Sequence, residues 1–316
     1  MKIALVFPGQ GSQSVGMGKD LFSAFTPAKE VFEEVNDALS ENLSDIMFNG
    51  STDELNLTCN TQPAVMAVSI AVLRILEKEA GFSLKGNNVL FAAGHSLGEY
   101  SALCAADSLS LADTARLLRT RGKAMQEAAP VGLGGMISLI GVELDTAQKI
   151  ATESSDDKNI CEVSNDNSFG QVVLSGHKKA LEKAAQIAKE KYSVKLVVPL
   201  AVSAPFHCSL MKPAADKMAP VIAATAFKTP EVPIISNVTA KETDDPAAIK
   251  DLLITQITSG VKWRESVLYM QSKGVDTLLE LGTGEILTRM KKRIAPELAG
   301  TSLGTLAEIE SFMKTL

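Results

Sequence analysis

The run Gly94-His95-Ser96-Leu97-Gly98 directly follows the apolar stretch Val89 to Ala93 and precedes a helix-like segment, Tyr100 to Ala106. A serine at the tip of a tight strand-to-helix turn is held in a strained backbone conformation, small neighbours let the turn close, and a helix N-terminus faces the hydroxyl. The run therefore reads as a G-x-S-x-G nucleophile elbow with Ser96 as nucleophile. The plainer alternative is a βα turn whose serine caps the helix. A catalytic base decides between the two, and the chain holds only 3 histidines. His95 adjoins the serine, and neighbours on a tight turn point apart, so it reads as a packing or hydrogen-bonding residue beneath the elbow. His177 opens the lysine-rich stretch 178 to 191 and reads as a solvated helix start. His207 remains. It sits in Ser203-Ala204-Pro205-Phe206-His207-Cys208, after the apolar run Val197 to Val202 and well downstream of the serine, the chain order of serine hydrolases and acyltransferases.

Two further features bear on a site of this kind. Phe7-Pro8-Gly9-Gln10-Gly11-Ser12-Gln13 follows the first apolar run. On a parallel sheet this loop would lie at the carboxyl edge beside the elbow, its backbone N–H groups free to face an oxyanion, unless it is an ordinary flexible βα loop. An arginine turned into an apolar cleft would hold a carboxylate bidentately. Arg116, Arg119 and Arg121 follow the elbow helix; most such arginines are solvated, and spacing alone does not choose among them.

At 316 residues, 46% hydrophobic and 22% charged, the chain can bury one large core or a core plus a smaller domain. The net charge of -6 argues against nucleic-acid binding. Cys59, Cys104, Cys161 and Cys208 form no CxxC pair, which favours a reduced, cytoplasmic setting and gives no metal cluster. No apolar run is read as approaching the ~18 residues of a membrane span. Lys2 to Phe7 is too short for a signal core and is broken at once by Pro8-Gly9.

Strand candidates alternate with amphipathic segments: Ile3 to Phe7, helices Ala28 to Ser40 and Gln62 to Ala80, strand Val89 to Ala93, helices Leu97 to Ala106 and Leu111 to Ala128. This βα wiring predicts a parallel sheet buried on both faces. After the glycine-rich Pro130 to Gly135, the order becomes βαββαβ: Met136 to Gly141, Asp145 to Ser154, Ile160 to Ser164, Gln171 to Ser175, His177 to Lys191 and Ser193 to Val198. That is a ferredoxin-like unit. The expected organisation is α/β, a large hydrolase-like domain (1–131 and 200–316) with an inserted small ferredoxin-like domain (132–199). The large domain resumes with helix Leu210 to Ala223, strand Val232 to Ser236, helices Ala247 to Ser259 and Trp263 to Lys273, strand Val275 to Leu281 and a final helical stretch. Ser96 and His207 then meet at the seam, where a cleft is expected.

Taken together, the loop 7–13, Gly94-His95-Ser96-Leu97-Gly98-Glu99-Tyr100, Arg121, Asn165-Asp166-Asn167 before Gly170-Gln171-Val172-Val173, the Phe206-His207 step and Gln256 upstream of Trp263 resemble the malonyl-CoA:acyl carrier protein transacylase family, over almost the full chain. The resemblance implies ping-pong transfer of malonyl from malonyl-CoA to the phosphopantetheine thiol of acyl carrier protein through a malonyl-serine ester, supplying fatty acid synthesis, by a monomer with no metal and no resident cofactor. On it, Ser96 is the nucleophile and His207 the general base, then acid. The N–H groups of Gln10 and Leu97 form the oxyanion hole, Arg121 pairs with the malonate carboxylate, and the backbone carbonyl of Gln256 orients His207 in place of a triad carboxylate. Asn165 and Asn167 match positions near the pantetheine arm. Phe206 resembles the malonyl-selective members, its bulk crowding a 2-methyl branch. Cys208, where the family often has serine or alanine, reads as a small buried residue. Lys291-Lys292-Arg293 is a candidate patch for an acidic carrier protein, or a basic helix end complementing its dipole. A serine esterase or thioesterase would need an acid such as Asp156, Asp157 or Asp166; a discrete trans-acting acyltransferase of a polyketide synthase would share every residue and differ in partner.

Overall fold

The computed structural model describes residues 1–130, 132–202 and 204–316. The chain runs β1 (Ile3–Phe7), α1 (Lys19–Ala24), α2 (Thr26–Leu39), α3 (Leu43–Asn49), α4 (Thr52–Asn56), α5 (Thr58–Ala80), β2 (Val89–Gly94), α6 (Gly98–Ala105) and α7 (Leu111–Glu127). It continues with β3 (Gly134–Ile140), α8 (Leu144–Ser154), β4 (Cys161–Ser168), β5 (Gln171–His177), α9 (Lys178–Glu190) and β6 (Leu196–Pro199). The last part is α10 (Lys212–Ala224), β7 (Ile234–Ile235), β8 (Glu242–Thr243), α11 (Pro246–Gln256), α12 (Trp263–Ser272), β9 (Thr277–Leu281), α13 (Ile286–Ile294), β10 (Ala299–Leu303) and α14 (Leu306–Met313).

The larger sheet has the order β10-β9-β1-β2-β7-β8, parallel throughout except for the antiparallel β7–β8 edge. Its burial on both faces follows from the period-two geometry of β1. Ile3, Leu5 and Phe7 join the core formed with α2, α5 and α7, while Ala4 and Val6 join the opposite core with Trp263 and Val267 of α12 and Leu287 of α13. The smaller sheet, β4-β5-β3-β6, is antiparallel and uses residues 134–199 alone. One of its faces carries α8 and α9 through Leu139, Leu174, Ile150 and Ala184. The far end of β4 crosses to the other unit: Val261 N–H donates to Ser164 O at 2.8 Å and Asp166 N–H to Val261 O at 2.9 Å.

Several expectations change. The strand expected over Val232 to Ser236 shrinks to Ile234–Ile235, because Pro233 has no N–H for the ladder and enters it only as acceptor from Ala92 N–H. The final helical stretch is interrupted by β10, an edge strand of small and polar residues exposed over its first three positions, with Leu303 at its end as the one large apolar side chain. Three short helices, α1, α3 and α4, occupy the region before α5. Helix α5 also corrects the reading that no segment reaches membrane-span length: it is 23 residues long and an 18-residue stretch of it has mean hydropathy 1.4, enough by length and composition, but 89% of that stretch is buried within the fold, as a core helix requires. The boundary expected at residue 131 falls on Val131, which with Ser203 lies outside the described residues.

Candidate active site

The elbow between β2 and α6 is set by steric demand. Ser96 has φ +54°, the left-handed region that a non-glycine residue occupies only when its surroundings hold it there. A Cβ on Gly94 would stand 1.9 Å from the Gly98 carbonyl, and one on Gly98 would stand 2.2 Å from Phe7 O, so both flanking positions admit only hydrogen. The Phe7 carbonyl in turn accepts the His95 N–H at 3.0 Å, which pins the first loop against the elbow. Leu97 occupies the cap of α6. Neither its N–H nor that of Gln10 has a backbone or side-chain acceptor among the described residues, and both residues line a cleft of about 510 Å³ between the two sheets.

Ser96 Oγ lies 2.7 Å from His207 Nε2. His207 also has a left-handed backbone, φ +58°, at the turn after the cleft wall Leu200–Val202. Its Nδ1 is 2.9 Å from the backbone oxygen of Gln256 at the end of α11. A carbonyl can only accept, so Nδ1 holds the proton and Nε2 is left as acceptor toward Ser96. Burial, and then the Arg121 guanidinium, push the His207 pKa down to about 3, which keeps the ring neutral at physiological pH.

Arg121 is 1% exposed, and its side chain joins the same centre. Nη2 donates to Ser96 Oγ at 3.1 Å and to Gln256 Oε1 at 2.7 Å, and Nη1 donates to Gln62 Oε1 at 2.8 Å. The other two arginines are separated from it by their partners. Arg119 bonds Asn60, Cys59 O and the Glu41 carboxylate, and Arg116 sits on the surface with Asp113. Among the described residues Arg121 forms no ion pair and Nε has no partner, so a buried guanidinium faces the nucleophile without a contacting carboxylate of its own.

The remaining expected residues fall around this centre. Phe206, 7% exposed, lines the cleft next to His207. Asn165 and Asn167 on β4 line the opposite wall, with Asn167 Oδ1 held by His95 Nε2 at 2.9 Å. His95 thus braces Asn167 from a position that itself lines the cleft, rather than from beneath the elbow, and burial lowers its pKa. His177 is the N-cap of α9, where Nδ1 accepts the Ile160 N–H at 3.0 Å. Cys208 is buried, its thiol donates to Pro205 O at 3.1 Å, and burial pushes its pKa up to about 11. None of the three carboxylates weighed as a triad acid reaches His207: Asp156 and Asp157 are exposed, and Asp166 pairs with Arg264 at 2.8 Å. The basic patch loses Lys291, which is buried and caps the end of α13 by donating to the carbonyls of Pro296 and Leu298.

Sequence reading missed the residues behind the elbow. Asn237 Oδ1 accepts the Ser96 N–H at 2.7 Å, and Nδ2 donates to Gly94 O at 2.7 Å. Glu99 Oε2 accepts from Gln256 Nε2 at 2.8 Å and from Asn237 N–H at 3.1 Å. Burial raises the Glu99 pKa to about 7 against these donors and the nearby Arg121 charge. Gln62 completes the shell, with the side chain of Gln256, a residue the resemblance had named for its backbone carbonyl. The only signal of Gln62 in the sequence was an amide side chain inside an apolar helix pattern.

The arrangement can pass a proton from a serine hydroxyl to a neutral imidazole, receive an oxyanion on two N–H groups and hold an anionic acyl tail. The chain is also similar to known proteins. The sequence matches the acyl transferase domain family over residues 4–305. It is 41% identical over 315 residues to the malonyl CoA-acyl carrier protein transacylase of Bacillus subtilis (strain 168), covering 100% of this chain and 97% of that one. The solved acyl-carrier-protein-S-malonyltransferase from Bartonella henselae superposes with a TM-score of 0.95 at 48% identity, over 100% of this chain and 99% of that one. A malonyl-transacylase solved in complex with its type II polyketide synthase acyl-carrier protein gives a TM-score of 0.95 at 39% identity, with 100% of both chains covered. With the family matched from Ala4 to Thr305 and relatives above 30% identity over their whole length, the chain belongs to the acyl transferase family.

Proposed function

We propose that this protein transfers the malonyl group from malonyl-CoA to the phosphopantetheine thiol of acyl carrier protein, supplying fatty acid synthesis. The observation that carries the reading is convergence on one atom: Ser96 Oγ has His207 Nε2 at 2.7 Å and Arg121 Nη2 at 3.1 Å. The first makes it a nucleophile, and the second places an unmatched positive charge where a short anionic acyl group would end.

In this reading Ser96 Oγ adds to the thioester carbonyl while its proton passes to His207 Nε2. The Gln10 and Leu97 N–H groups, the latter at the positive end of α6, receive the oxyanion. Collapse breaks the C–S bond, and the imidazolium returns the proton to the departing coenzyme A thiolate. The pantetheine thiol of the carrier then repeats the steps in reverse, giving its proton to His207 as it attacks the serine ester. The Gln256 carbonyl fixes the histidine tautomer throughout, as a triad carboxylate does elsewhere. Asn165 and Asn167 border the path of the pantetheine arm, and Phe206 limits branching at the acyl C2. Each proton and bond in this cycle is handled by residues of the chain and its two thioester partners, so it calls for no metal or resident cofactor. We read the chain as a cytoplasmic monomer of two domains, 1–131 with 200–316 and 132–199, in keeping with four free cysteines.

Intact-mass measurement after incubation with malonyl-CoA alone tests the reading. A malonyl adduct on the parent protein, absent in Ser96→Ala and scarce with acetyl-CoA, is expected. Release of free coenzyme A with no adduct would instead make it a thioesterase. The likeness to the transacylase solved with a polyketide carrier favours one second reading, service to a polyketide synthase, and relative transfer rates to the two carrier types decide it.

A further inference from the structure

The two strands that flank the elbow stop pairing just below it. β2 and β7 are in register at Ala92–Ile234 and Ala93–Ile235 and no further. Beyond that point the chain of β7 turns away, and the side chain of Asn237, 1% exposed, takes its place. In a parallel ladder one residue donates to a carbonyl on its neighbour and accepts from the N–H two residues further along. The Asn237 carboxamide makes that same pair, giving a hydrogen to Gly94 O and receiving one from Ser96 N–H, both at 2.7 Å. It is itself held from two sides: its N–H donates to Glu99 Oε2 at 3.1 Å, and its carbonyl accepts the Lys262 N–H at 3.0 Å.

We propose that Asn237 is the positioning residue of the nucleophile: its carboxamide substitutes for a strand peptide, locks the left-handed turn at Ser96 and so aims Oγ at His207. The proposal rests on Ser96 being the nucleophile, as read above. It has a chemical corollary. Because Asn237 occupies the Ser96 N–H, the elbow's donor to the oxyanion is the next one along, Leu97 N–H.

An asparagine doing this work has an unusual diagnostic, since a protonated aspartic acid reproduces both bonds and an ionised one reproduces only the acceptor. In Asn237→Asp the carboxylate would face Gly94 O, with the Glu99 carboxylate of α6 on the residue's own N–H, the His95 imidazole between the two clamped positions, and Arg121 and His207 beyond it on Ser96 Oγ, so ionisation breaks the clamp and protonation restores it. The readout is labelling of Ser96 by an uncharged fluorophosphonate ester, in which an Oγ–P bond forms, fluoride leaves and the serine proton passes to His207. His207 does not titrate between pH 8 and pH 5, since it stays neutral to about 3, whereas Glu99 titrates near 7, so each variant is read as its ratio to the wild-type rate at the same pH. Asn237→Asp should label about 10²-fold more slowly at pH 8, the cost of a nucleophile misplaced by about 1 Å, and recover toward the wild-type rate as pH falls. Asn237→Ala should be slow at every pH. In both variants the malonyl-CoA loading rate should fall with KM unchanged, since the acyl and pantetheine contacts do not pass through Asn237. Using one variant at two pH values separates loss of the clamp from loss of the fold, which circular dichroism monitors in parallel. Wild-type labelling in Asn237→Ala, or an aspartate variant whose rate does not rise as pH falls, would overturn the proposal. A wild-type protein that labels at Ser96 but takes no malonyl group would overturn the substrate reading and leave Asn237 in place; no labelling at Ser96 would overturn both.

Discussion

Replacing Arg121 by methionine keeps most of the side-chain length and removes the charge. In the structure the guanidinium already bonds two amide oxygens, Gln62 Oε1 at 2.8 Å and Gln256 Oε1 at 2.7 Å, and reaches Ser96 Oγ at 3.1 Å. A malonyl carboxylate adds charge-assisted hydrogen bonds to this group, each contributing about 1.5–3 kcal/mol in a site shielded from water. One such pair, net of desolvation, amounts to about 3 kcal/mol, or about two orders of magnitude in rate. In Arg121→Met, kcat/KM for malonyl-CoA should therefore fall about 10²-fold. Acetyl-CoA, which makes no such bond, should lose little, and the preference between the two should collapse toward unity. The substitution leaves the Gln62 and Gln256 oxygens without their donor, at about 1–3 kcal/mol each in stability, so loading is measured well below the melting temperature. The assay is a time course of intact mass with each thioester, with the uncharged fluorophosphonate as control for the Ser96–His207 pair. If malonyl and acetyl loading fall by the same factor, with the ratio preserved, Arg121 positions the serine and is not a carboxylate clamp.

Phe206→Ser opens space beside His207 in the cleft wall, so the rate ratio of 2-methylmalonyl-CoA to malonyl-CoA should rise at least about tenfold, measured by adduct mass in a mixture of the two; an unchanged ratio would remove Phe206 from acyl selection. Gln256→Ala keeps the backbone carbonyl that orients His207 but deletes the amide that braces Arg121 and donates to Ser96 O at 3.1 Å, so malonyl-CoA kcat/KM should fall by more than the rate of fluorophosphonate labelling, and an equal fall in both would assign the amide to the elbow alone. The burial of His207 also predicts a pH effect on stability. The ring's pKa is 6.5 when free and about 3 in the fold, so the unfolded chain binds more protons between these values, and the stability present above pH 6.5 is lost as pH falls toward 3. At pH 5, 1.5 units below the free value, the loss is about 2 kcal/mol. Denaturant unfolding of wild type and His207→Gln at pH 7 and pH 5 should show the difference between them moving by that amount against the wild type, and no movement would mean that the ring is not buried as described.

What the sequence made legible was whatever a local constraint writes into adjacent residues. The elbow is visible because the two positions that tolerate no Cβ, Gly94 and Gly98, flank the serine that must strain. The alternation of β1 between two cores is visible because five residues alternate through one sheet. His207 was reached by exhausting three histidines, an argument from scarcity that composition alone allowed. Asn237 and Gln62 were not legible, since each meets its partner only after the chain has folded back, across 141 residues in the bond from Asn237 to Ser96. β10 was missed for a different reason, as an edge strand exposed over its first three positions, Gly300 among them, needs no apolar pattern there.

The arginines show most clearly where reading by pattern ends. Arg119 and Arg121 are both buried on α7, and both bond the N-terminal turns of α5, the first through Cys59 and Asn60 and the second through Gln62. Neither helical spacing nor burial separates them. What separates them is charge balance. Arg119 has a carboxylate within the chain, Glu41 at 2.6 Å, and a guanidinium so matched has no reason to seek another anion. Among the described residues Arg121 has neutral amide and hydroxyl oxygens as hydrogen-bond partners and the face of the Tyr100 ring 5.4 Å from its guanidinium carbon, and burial pulls against its charge, with Tyr100 and Glu99 opposing that pull. A cation kept in a low-dielectric cleft without a contacting carboxylate is stabilised most by a ligand that brings one. The same charge depresses the basicity of His207, so an arriving carboxylate that neutralises Arg121 also returns basicity to the group that must take the serine proton. Selectivity and activation therefore meet in one residue: an acyl group without the carboxylate both leaves Arg121 unmatched and leaves His207 the weaker base.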